Sequence, residues 1–241
     1  MFSDLLPACV YSVETAADRD LSLLPAEAAY VARAVPKRYR EFVSVRACAT
    51  DALARLGLSR APLVPGPAGA PRWPPGVIGS MTHCPGFRAA AVGWQHRMLT
   101  LGIDAEPNAP LPPGVLSNVA RPEEAAALTG LPAVGVAWDR LLFSAKESIY
   151  KAWYPLMHSP LGFADAVVTF GLDGSFTATL DARAPDCLAV LTGRWGCESG
   201  LVATTVAVDA RQRVSKGVAD DEPFDIPDAP DDTNGDPADI G

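Results

Sequence analysis

The sequence of 241 residues has few of the features that mark secreted, zinc-binding or membrane-spanning proteins. Its five cysteines are widely scattered and form no Cys-x-x-Cys pair, which argues against a disulfide framework and a zinc site. No apolar run reaches the roughly 18 residues of a membrane span. The first four residues, Met-Phe-Ser-Asp, lack the basic start of a signal peptide. We therefore expect a protein of the reducing cytoplasm with no membrane partner.

The formal net charge of −8 lies almost entirely in the last residues of the chain. Residues 214–241 contain nine carboxylates and a single lysine, Lys216. The charges of residues 1–213 therefore sum to nearly zero. A near-neutral body without a long basic stripe argues against nucleic acid as a partner. We expect residues 210–241 to form a disordered acidic tail, which acts either as a solubility tail or in regulation.

Before the predicted tail, the spacing of apolar residues predicts two successive groups of helices followed by strands. This order predicts an α+β fold. About half of the residues are apolar, which is enough for a full core. Two proline-rich stretches, 58–76 and 108–122, are predicted to be loops. The predicted helices are 25–30, 37–56, 122–130 and 138–157, and the predicted strands are 77–81, 88–94, 98–106, 164–170, 175–180, 188–193 and 201–208.

Two carboxylates lie near the end of the third predicted strand, in the sequence Leu101-Gly-Ile-Asp-Ala-Glu106. Strand alternation places Asp104 and Glu106 on one face, while Leu101, Ile103 and Ala105 face the core. Paired carboxylates supply the hard oxygen ligands that suit Mg²⁺. Taken alone, the segment fits an ordinary exposed strand face better than a metal site.

A second group of charges lies on the long helix predicted over residues 138–157. Glu147 and Lys151 are one helical turn apart and share a face away from the apolar stripe through Ala145 and Ile149. One interpretation is a common surface ion pair, which contributes little to stability. The other is a third carboxylate for a metal, with Lys146 and Lys151 as cations for phosphate.

Two further sets of donors are candidates for phosphate binding. Thr82 and His83 end the run Gly79-Ser-Met-Thr-His83, where a hydroxyl and an imidazole can donate to phosphate oxygens. Arg38 and Arg46 lie eight residues apart on a predicted helix, so that they can share one face. A lone histidine more often has a structural role.

Together and in this order, the motifs at 79–83, 102–106 and 143–152 resemble those of the 4'-phosphopantetheinyl transferases. The chain is similar to the larger, monomeric, surfactin-synthetase-activating type, which acts on polyketide and nonribosomal peptide synthetases, and especially to its actinobacterial branch. The stretches 38–46, 69–74 and 138–140 also match that branch. The resemblance covers roughly residues 20–209.

The resemblance implies a pseudo-dimer of two similar α+β halves, 1–108 and 109–209, with the active site between them. It implies transfer of the phosphopantetheine arm of coenzyme A to a serine of apo acyl or peptidyl carrier proteins, with release of adenosine 3',5'-bisphosphate. The implied metal is Mg²⁺, or alternatively Mn²⁺. The implied catalytic residues are Glu147 and Lys151, the metal ligands Asp104, Glu106 and Glu147, and the coenzyme A contacts Arg38, Arg46, Thr82, His83, Lys146 and Lys151.

One stretch departs from the family pattern. Related proteins often carry a basic residue before the Gly-x-Pro-x-Trp-Pro stretch, where this chain has Pro65-Gly-Pro-Ala68. Either Arg60 or Arg72 replaces that residue, or one phosphate contact is missing. Two other functions stay open: an inactive carrier-binding module of the same fold, and a phosphatase or nuclease that uses the acidic site.

Overall fold

Two antiparallel sheets and two long helices carry the fold. The computed structural model describes residues 1–133, 135–181 and 184–213, so the predicted tail from residue 214 onwards lies outside the described residues. The elements are α1 (Phe2–Leu5), β1 (Val10–Thr15), α2 (Pro25–Tyr30), α3 (Pro36–Arg55), β2 (Val77–Cys84), β3 (Phe87–Trp94), β4 (Met98–Pro107), α4 (Leu116–Val119), α5 (Pro122–Thr129), α6 (Trp138–Met157), β5 (Ala166–Phe170), β6 (Ser175–Leu180), β7 (Val190–Glu198) and β8 (Leu201–Asp209). The α+β prediction is confirmed, and the predicted elements agree with the observed ones within a few residues. Three elements that the patterning does not predict are α1, β1 and α4, the last of which lies inside the predicted loop 108–122.

The first half joins the sheet β1-β3-β2 to helix α3. The helix packs small side chains, Cys48, Ala49 and Ala52, against Ala90 and Val92 of the central strand. Small residues on both surfaces let the helix axis approach the sheet closely. This packing fixes where the polar face of α3 stands relative to β2.

The second half joins the sheet β4-β8-β7-β6-β5 to helix α6. The apolar face of the helix, including Leu142, Ile149 and Trp153, packs against Phe176 and Val206 of the sheet. The same arrangement of one antiparallel sheet under one long helix therefore occurs in both halves. Among the described residues, no helix combines the length and the apolar character that crossing a membrane requires.

Strand β4 belongs to the second sheet, because it pairs along its length with β8. The sequence-based boundary near residue 108 assigns this strand to the first half, so the strand pairing corrects that assignment. The strand is also buried on both faces, and only 4% of Asp104 is exposed. The alternative of an exposed strand face is therefore wrong, since α6 packs on one face of β4 and the apolar cluster around Phe2 packs on the other.

The two halves are joined where β2 meets the unpaired edge of β4. The hydroxyl of Ser80 accepts a hydrogen bond from the backbone N–H of Ile103 (3.0 Å), and that of Thr82 accepts one from Ala105 (3.3 Å). Buried backbone donors need partners, and these two hydroxyls replace the strand that β4 lacks on this edge. Phe2 of α1, fully buried, packs between both sheets in the same region.

Gly102 lets helix α6 lie directly on β4. A Cβ at this position would overlap the backbone oxygen of Ser148 and lie 2.9 Å from the backbone nitrogen of Ala152. The glycine is therefore needed for space between the strand and the helix. This close approach brings the polar face of α6, with Glu147 and Lys151, beside the carboxylates of β4.

We expect Gly102→Ala to lower the free energy of unfolding by about 1–3 kcal/mol or more, because the added methyl group forces α6 away from β4. Urea unfolding followed by circular dichroism measures the change. Gly130→Ala is the matched control, since a Cβ there would meet nothing closer than 3.5 Å and we expect a change of about 0.5 kcal/mol or less. Equal stability of the two variants would contradict the packing argument.

Candidate functional site

A cleft of about 860 Å³ lies between the two halves. Its walls are formed by α3, the loop 65–73, the exposed face of β2 and the polar face of α6. The side chains of the cleft that matter for its chemistry are Arg38, Arg46, Arg72, His83, Glu147 and Lys151. An elongated cleft with many cations and few carboxylates favours an anionic ligand.

Asp104 lies at the base of the site and contacts both halves of the protein. Its Oδ1 accepts hydrogen bonds from the hydroxyl of Thr82 on β2 (3.0 Å) and from Nζ of Lys151 on α6 (2.7 Å). Its Oδ2 is buried and has no partner among the described residues. An ionised oxygen without a partner is costly inside a protein, so this atom indicates a site for a missing cation or donor.

Lys151 and Glu147 extend the site along α6. Besides Asp104, Lys151 donates to the backbone oxygen of Ile103 (3.2 Å), so that the lysine is anchored on β4. Burial raises the pKa of Glu147, Lys151 opposes the rise, and Asp104 adds to it. The structure thus brings these three predicted residues together, as the motifs require.

Glu106 lies two residues further along β4 and is paired with Arg140 of α6 (3.2 Å). Burial and the nearby charge of Asp104 raise the pKa of Glu106 to about 7. Arg140 also donates to the backbone oxygens of Ala109 and Pro110, and thereby fixes the loop that follows β4. Arg140 therefore positions Glu106, a role that the motif around it does not reveal.

The carboxylates fit a divalent cation in their chemistry. Asp104, Glu106 and Glu147 offer oxygen ligands from neighbouring positions on β4 and α6. Burial raises the pKa of Glu106 and of Glu147, and the charge of Asp104 adds to both rises, which a cation beside these carboxylates would oppose. The buried free Oδ2 of Asp104 supplies an independent reason. Within the described residues, however, no three His, Cys, Asp or Glu side chains form a ready-made metal site.

His83 and Arg38 form a hydrogen-bonded pair on the opposite wall. The guanidinium of Arg38 donates to Nε2 of His83 (2.9 Å), which requires a neutral imidazole with its proton on Nδ1. Burial and the charge of Arg38 lower the pKa of His83, although Glu41, 3.5 Å from Nε2, acts in the opposite direction. The pair presents a fixed cation and a donor to the cleft.

Arg46 lies deeper in the same wall. Its guanidinium lies 3.3 Å from the ring centre of Phe42, and its Nε donates to the backbone oxygen of Leu63 (3.1 Å). Burial lowers the pKa of Arg46 to about 10, so that it stays charged at neutral pH. A stacked and hydrogen-bonded arginine is preorganised for an anion.

The structure corrects the roles predicted for Thr82 and Lys146. The one hydroxyl proton of Thr82 is donated to Asp104, so this side chain supports a carboxylate instead of offering a free donor to phosphate. Lys146 is buried, and its ammonium group donates three hydrogen bonds: to Glu124 (2.6 Å), to the backbone oxygen of Val119 (2.9 Å) and to that of Phe163 (2.7 Å). Lys146 thus fixes α5 and the segment before β5 on α6, with no donor left for a ligand.

A smaller cavity of about 250 Å³ lies on the other side of Glu147. Glu147 and Tyr150 contribute to both cavities, and the remaining lining residues of the smaller one are Lys146, Leu161, Gly162, Phe163 and Ala166. Sequence reasoning misses Tyr150, although its position between Glu147 and Lys151 on the same turn is a signal that was available. On this side, the carboxylate of Glu147 therefore borders a cavity with mostly apolar walls.

Comparison with known proteins agrees with this geometry. Residues 26–93 match the family model described as the 4'-phosphopantetheinyl transferase N-terminal domain, and residues 100–206 match that of the 4'-phosphopantetheinyl transferase superfamily. The chain belongs to this family. The two matched ranges end and begin on either side of the turn between β3 and β4, where the two sheets divide.

Curated relatives cover most of the chain. It is 52% identical over 221 residues to the 4'-phosphopantetheinyl transferase Svp of Streptomyces mobaraensis, with 87% of this chain and 90% of that protein covered. It is 42% identical over 217 residues to the 4'-phosphopantetheinyl transferase PptT of Mycobacterium tuberculosis, with 86% and 94% covered. The similarity to the enterobactin synthase component D of Salmonella typhimurium is lower, 34% over 149 residues, with 59% and 57% covered. The predicted resemblance to the actinobacterial transferases is therefore confirmed.

We expect Lys146→Met to lower the free energy of unfolding by about 3–5 kcal/mol, because it leaves Glu124 buried without its cation. The affinity of the folded protein for coenzyme A should stay within about twofold, since Lys146 has no free donor. Chemical unfolding and calorimetric titration measure the two quantities, with the exposed Lys37→Met as control. A stable variant with much weaker ligand binding would restore the phosphate role of Lys146.

The raised pKa of Glu106 predicts a pH dependence of stability in the presence of a chelator. The folded protein holds this proton up to about pH 7 and the unfolded chain only to about pH 4.5, so stability falls as pH rises between those values. The loss reaches up to about 3 kcal/mol. Glu106→Gln should lack this loss of stability and should be more stable than wild type at pH 8. Glu123→Gln, at an exposed position, should show the same pH dependence as wild type. Parallel pH profiles for all three proteins would contradict the shift.

Proposed function

We propose that the protein transfers the 4'-phosphopantetheine arm of coenzyme A to a serine hydroxyl of apo acyl or peptidyl carrier proteins. The observation that supports this best is the arrangement of Asp104, which holds Thr82 and Lys151 through one oxygen and leaves the other free beside Glu147. A carboxylate set next to a cation-lined cleft suits an enzyme that binds a diphosphate and reacts at it. The similarity to the 4'-phosphopantetheinyl transferases Svp and PptT supports the same reaction.

In this proposal the cleft orients coenzyme A by its charges. Arg38, His83 and Arg46 bind phosphate groups on the α3 wall, and Lys151 contacts the diphosphate next to Asp104. Asp104, Glu106 and Glu147 would hold Mg²⁺, or Mn²⁺ in its place, which neutralises charge on the diphosphate oxygens when bound. Thr82 and Arg140 keep two of these carboxylates in position.

Glu147 is the proposed base for the acceptor serine, directly or through a water molecule. The serine oxygen forms a bond to the phosphorus that carries the pantetheine arm, while the bond from this phosphorus to adenosine 3',5'-bisphosphate breaks. The serine proton passes to the carboxylate of Glu147. Because burial raises the pKa of Glu147, this group is a stronger base near neutral pH than an exposed glutamate. The smaller cavity beside Glu147 and Tyr150 is suited by its apolar lining to the pantetheine arm.

The proposed setting of the enzyme follows from its cysteines and from the make-up of its site. The five cysteines are free thiols, which supports a reducing compartment such as the cytoplasm. The partners proposed are carrier proteins of polyketide, nonribosomal peptide and fatty acid synthases, without nucleic acid or membrane. One chain carries every side chain of the proposed site, which supports a monomer.

An inactive carrier-binding module is the second candidate, and the buried carboxylates argue against it. Burying Asp104 and Glu106 side by side raises the free energy of the folded state, and a docking module gains nothing from that arrangement. A phosphatase or nuclease would bind similar anions but would release phosphate. Product analysis separates the three functions.

The test is incubation with coenzyme A, Mg²⁺ and an apo carrier protein, with intact mass spectrometry of the carrier. We expect the mass of one phosphopantetheine to be added at a serine, and Asp104→Asn and Glu147→Gln to reduce the rate by about 10²-fold or more. Glu123→Gln, an exposed glutamate on α5, should transfer at the wild-type rate. A carrier that stays unmodified with the wild-type protein, or full activity in both site variants, would overturn the proposal.

A further inference from the structure

The loop from Val64 to Arg72 forms one wall of the cleft and is held by its own backbone. Pro65 and Pro71 form an antiparallel bridge, the N–H of Gly66 donates to the oxygen of Ala70 (2.7 Å), and that of Arg72 donates to the oxygen of Val64 (3.3 Å). The two sides of the loop therefore lie next to each other. A side chain at position 72 can reach the space beside positions 65 and 66.

The side chain of Arg72 lies against Gly66. A Cβ at Gly66 would lie 3.2 Å from Nε of Arg72, 3.4 Å from the backbone oxygen of Ala70 and 3.5 Å from Cγ of Arg72. The backbone of Gly66 is extended (φ −91°, ψ −159°), a conformation that any residue adopts. A side chain at position 66 would therefore displace the arginine, although the backbone conformation itself does not require glycine. The stretch without a basic residue, Pro65 to Ala68, is thus crossed by a guanidinium from the other side of the loop.

Arg72 has a free charge, whereas Arg60 does not. Arg72 is exposed and lines the cleft, and no carboxylate of the described residues forms an ion pair with it. Arg60 donates to the backbone oxygen of Ser22 (2.6 Å) and to the buried Glu27 (2.9 Å), and it does not line the cleft. Of the two arginines that could supply the missing cation, only Arg72 is available to a ligand.

Arg72 and Arg46 flank the same short segment. Arg46 donates to the oxygen of Leu63, and the next carbonyl oxygen, that of Val64, accepts from the N–H of Arg72. Arg38, paired with His83, lines the same cleft from α3. Three arginines thus line this cleft, and such a set suits a phosphate monoester, which carries two charges and three terminal oxygens.

We propose that Arg72 binds the 3'-phosphate of coenzyme A together with Arg46, and that it makes the protein discriminate between coenzyme A and dephospho-coenzyme A. This inference rests on the proposed function, because it takes coenzyme A as the ligand of the cleft. Arg72 would be a specificity-determining residue placed on the loop, and Gly66 the residue that gives it room.

Calorimetric titration with coenzyme A and with dephospho-coenzyme A tests the proposal on the full chain. We expect Arg72→Gln to weaken the binding of coenzyme A by about tenfold and to leave that of dephospho-coenzyme A within about twofold. Arg72→Lys should lose less, because a lysine keeps the charge but not the bidentate geometry. Arg194→Gln, an exposed arginine on β7 outside the cleft, should bind both ligands as wild type does.

A second variant tests the geometry separately from the charge. Gly66→Val suits the extended backbone but removes the space that Arg72 occupies, so we expect the same selective loss for coenzyme A without loss of thermal stability. Equal weakening for both ligands, or no weakening in Arg72→Gln, would overturn the role of Arg72. A wild-type protein that binds neither ligand would instead overturn the proposed function, so the two failures are distinguishable.

Discussion

The hydrogen bonds of Asp104 are the interaction on which the rest of the site depends. Thr82 belongs to the first sheet and Lys151 to the helix of the second half, and both donate to one oxygen of this carboxylate. The bonds join three elements that come from distant parts of the chain. Since they use only Oδ1, the same contact that assembles the two halves leaves Oδ2 buried and free for chemistry.

The surrounding packing explains how such a carboxylate is tolerated. Ser80 and Thr82 satisfy the free edge of β4, and Gly102 lets α6 approach from the other side. Helix α6 then places Nζ of Lys151 2.7 Å from Oδ1 of Asp104, where its positive charge neutralises the carboxylate. A buried carboxylate whose two hydrogen bonds come from a hydroxyl and a close cation is tolerated in the folded protein, and a divalent cation would give its second oxygen a partner.

Much of the fold and of the site could be predicted from the sequence, and the exceptions have physical reasons. Strand and helix periodicity located β4 and α6, and spacing placed Glu147 and Lys151 on one face. The strand β1 lacks a clear alternation, and the short α1 is defined by the burial of Phe2 between the sheets, which only tertiary structure shows. Lys146 and Thr82 stand in charged or polar motifs, but their partners, such as Glu124, come from distant segments that no local pattern reveals. The roles of Arg140 and Arg72 depend in the same way on tertiary contacts, with Glu106 on β4 for Arg140 and with the facing side of its loop for Arg72.

The central claim is that the junction of β2, β4 and α6 is a cation and diphosphate site. The most direct measurement is a crystal structure of the protein with coenzyme A and Mn²⁺, in which the metal is located by its anomalous scattering. The account predicts a peak at bonding distance from Oδ2 of Asp104, with Glu106 turned from Arg140, Glu147 adjacent, and the diphosphate next to Lys151. A metal bound away from Asp104, or coenzyme A outside the cleft between the halves, would contradict it.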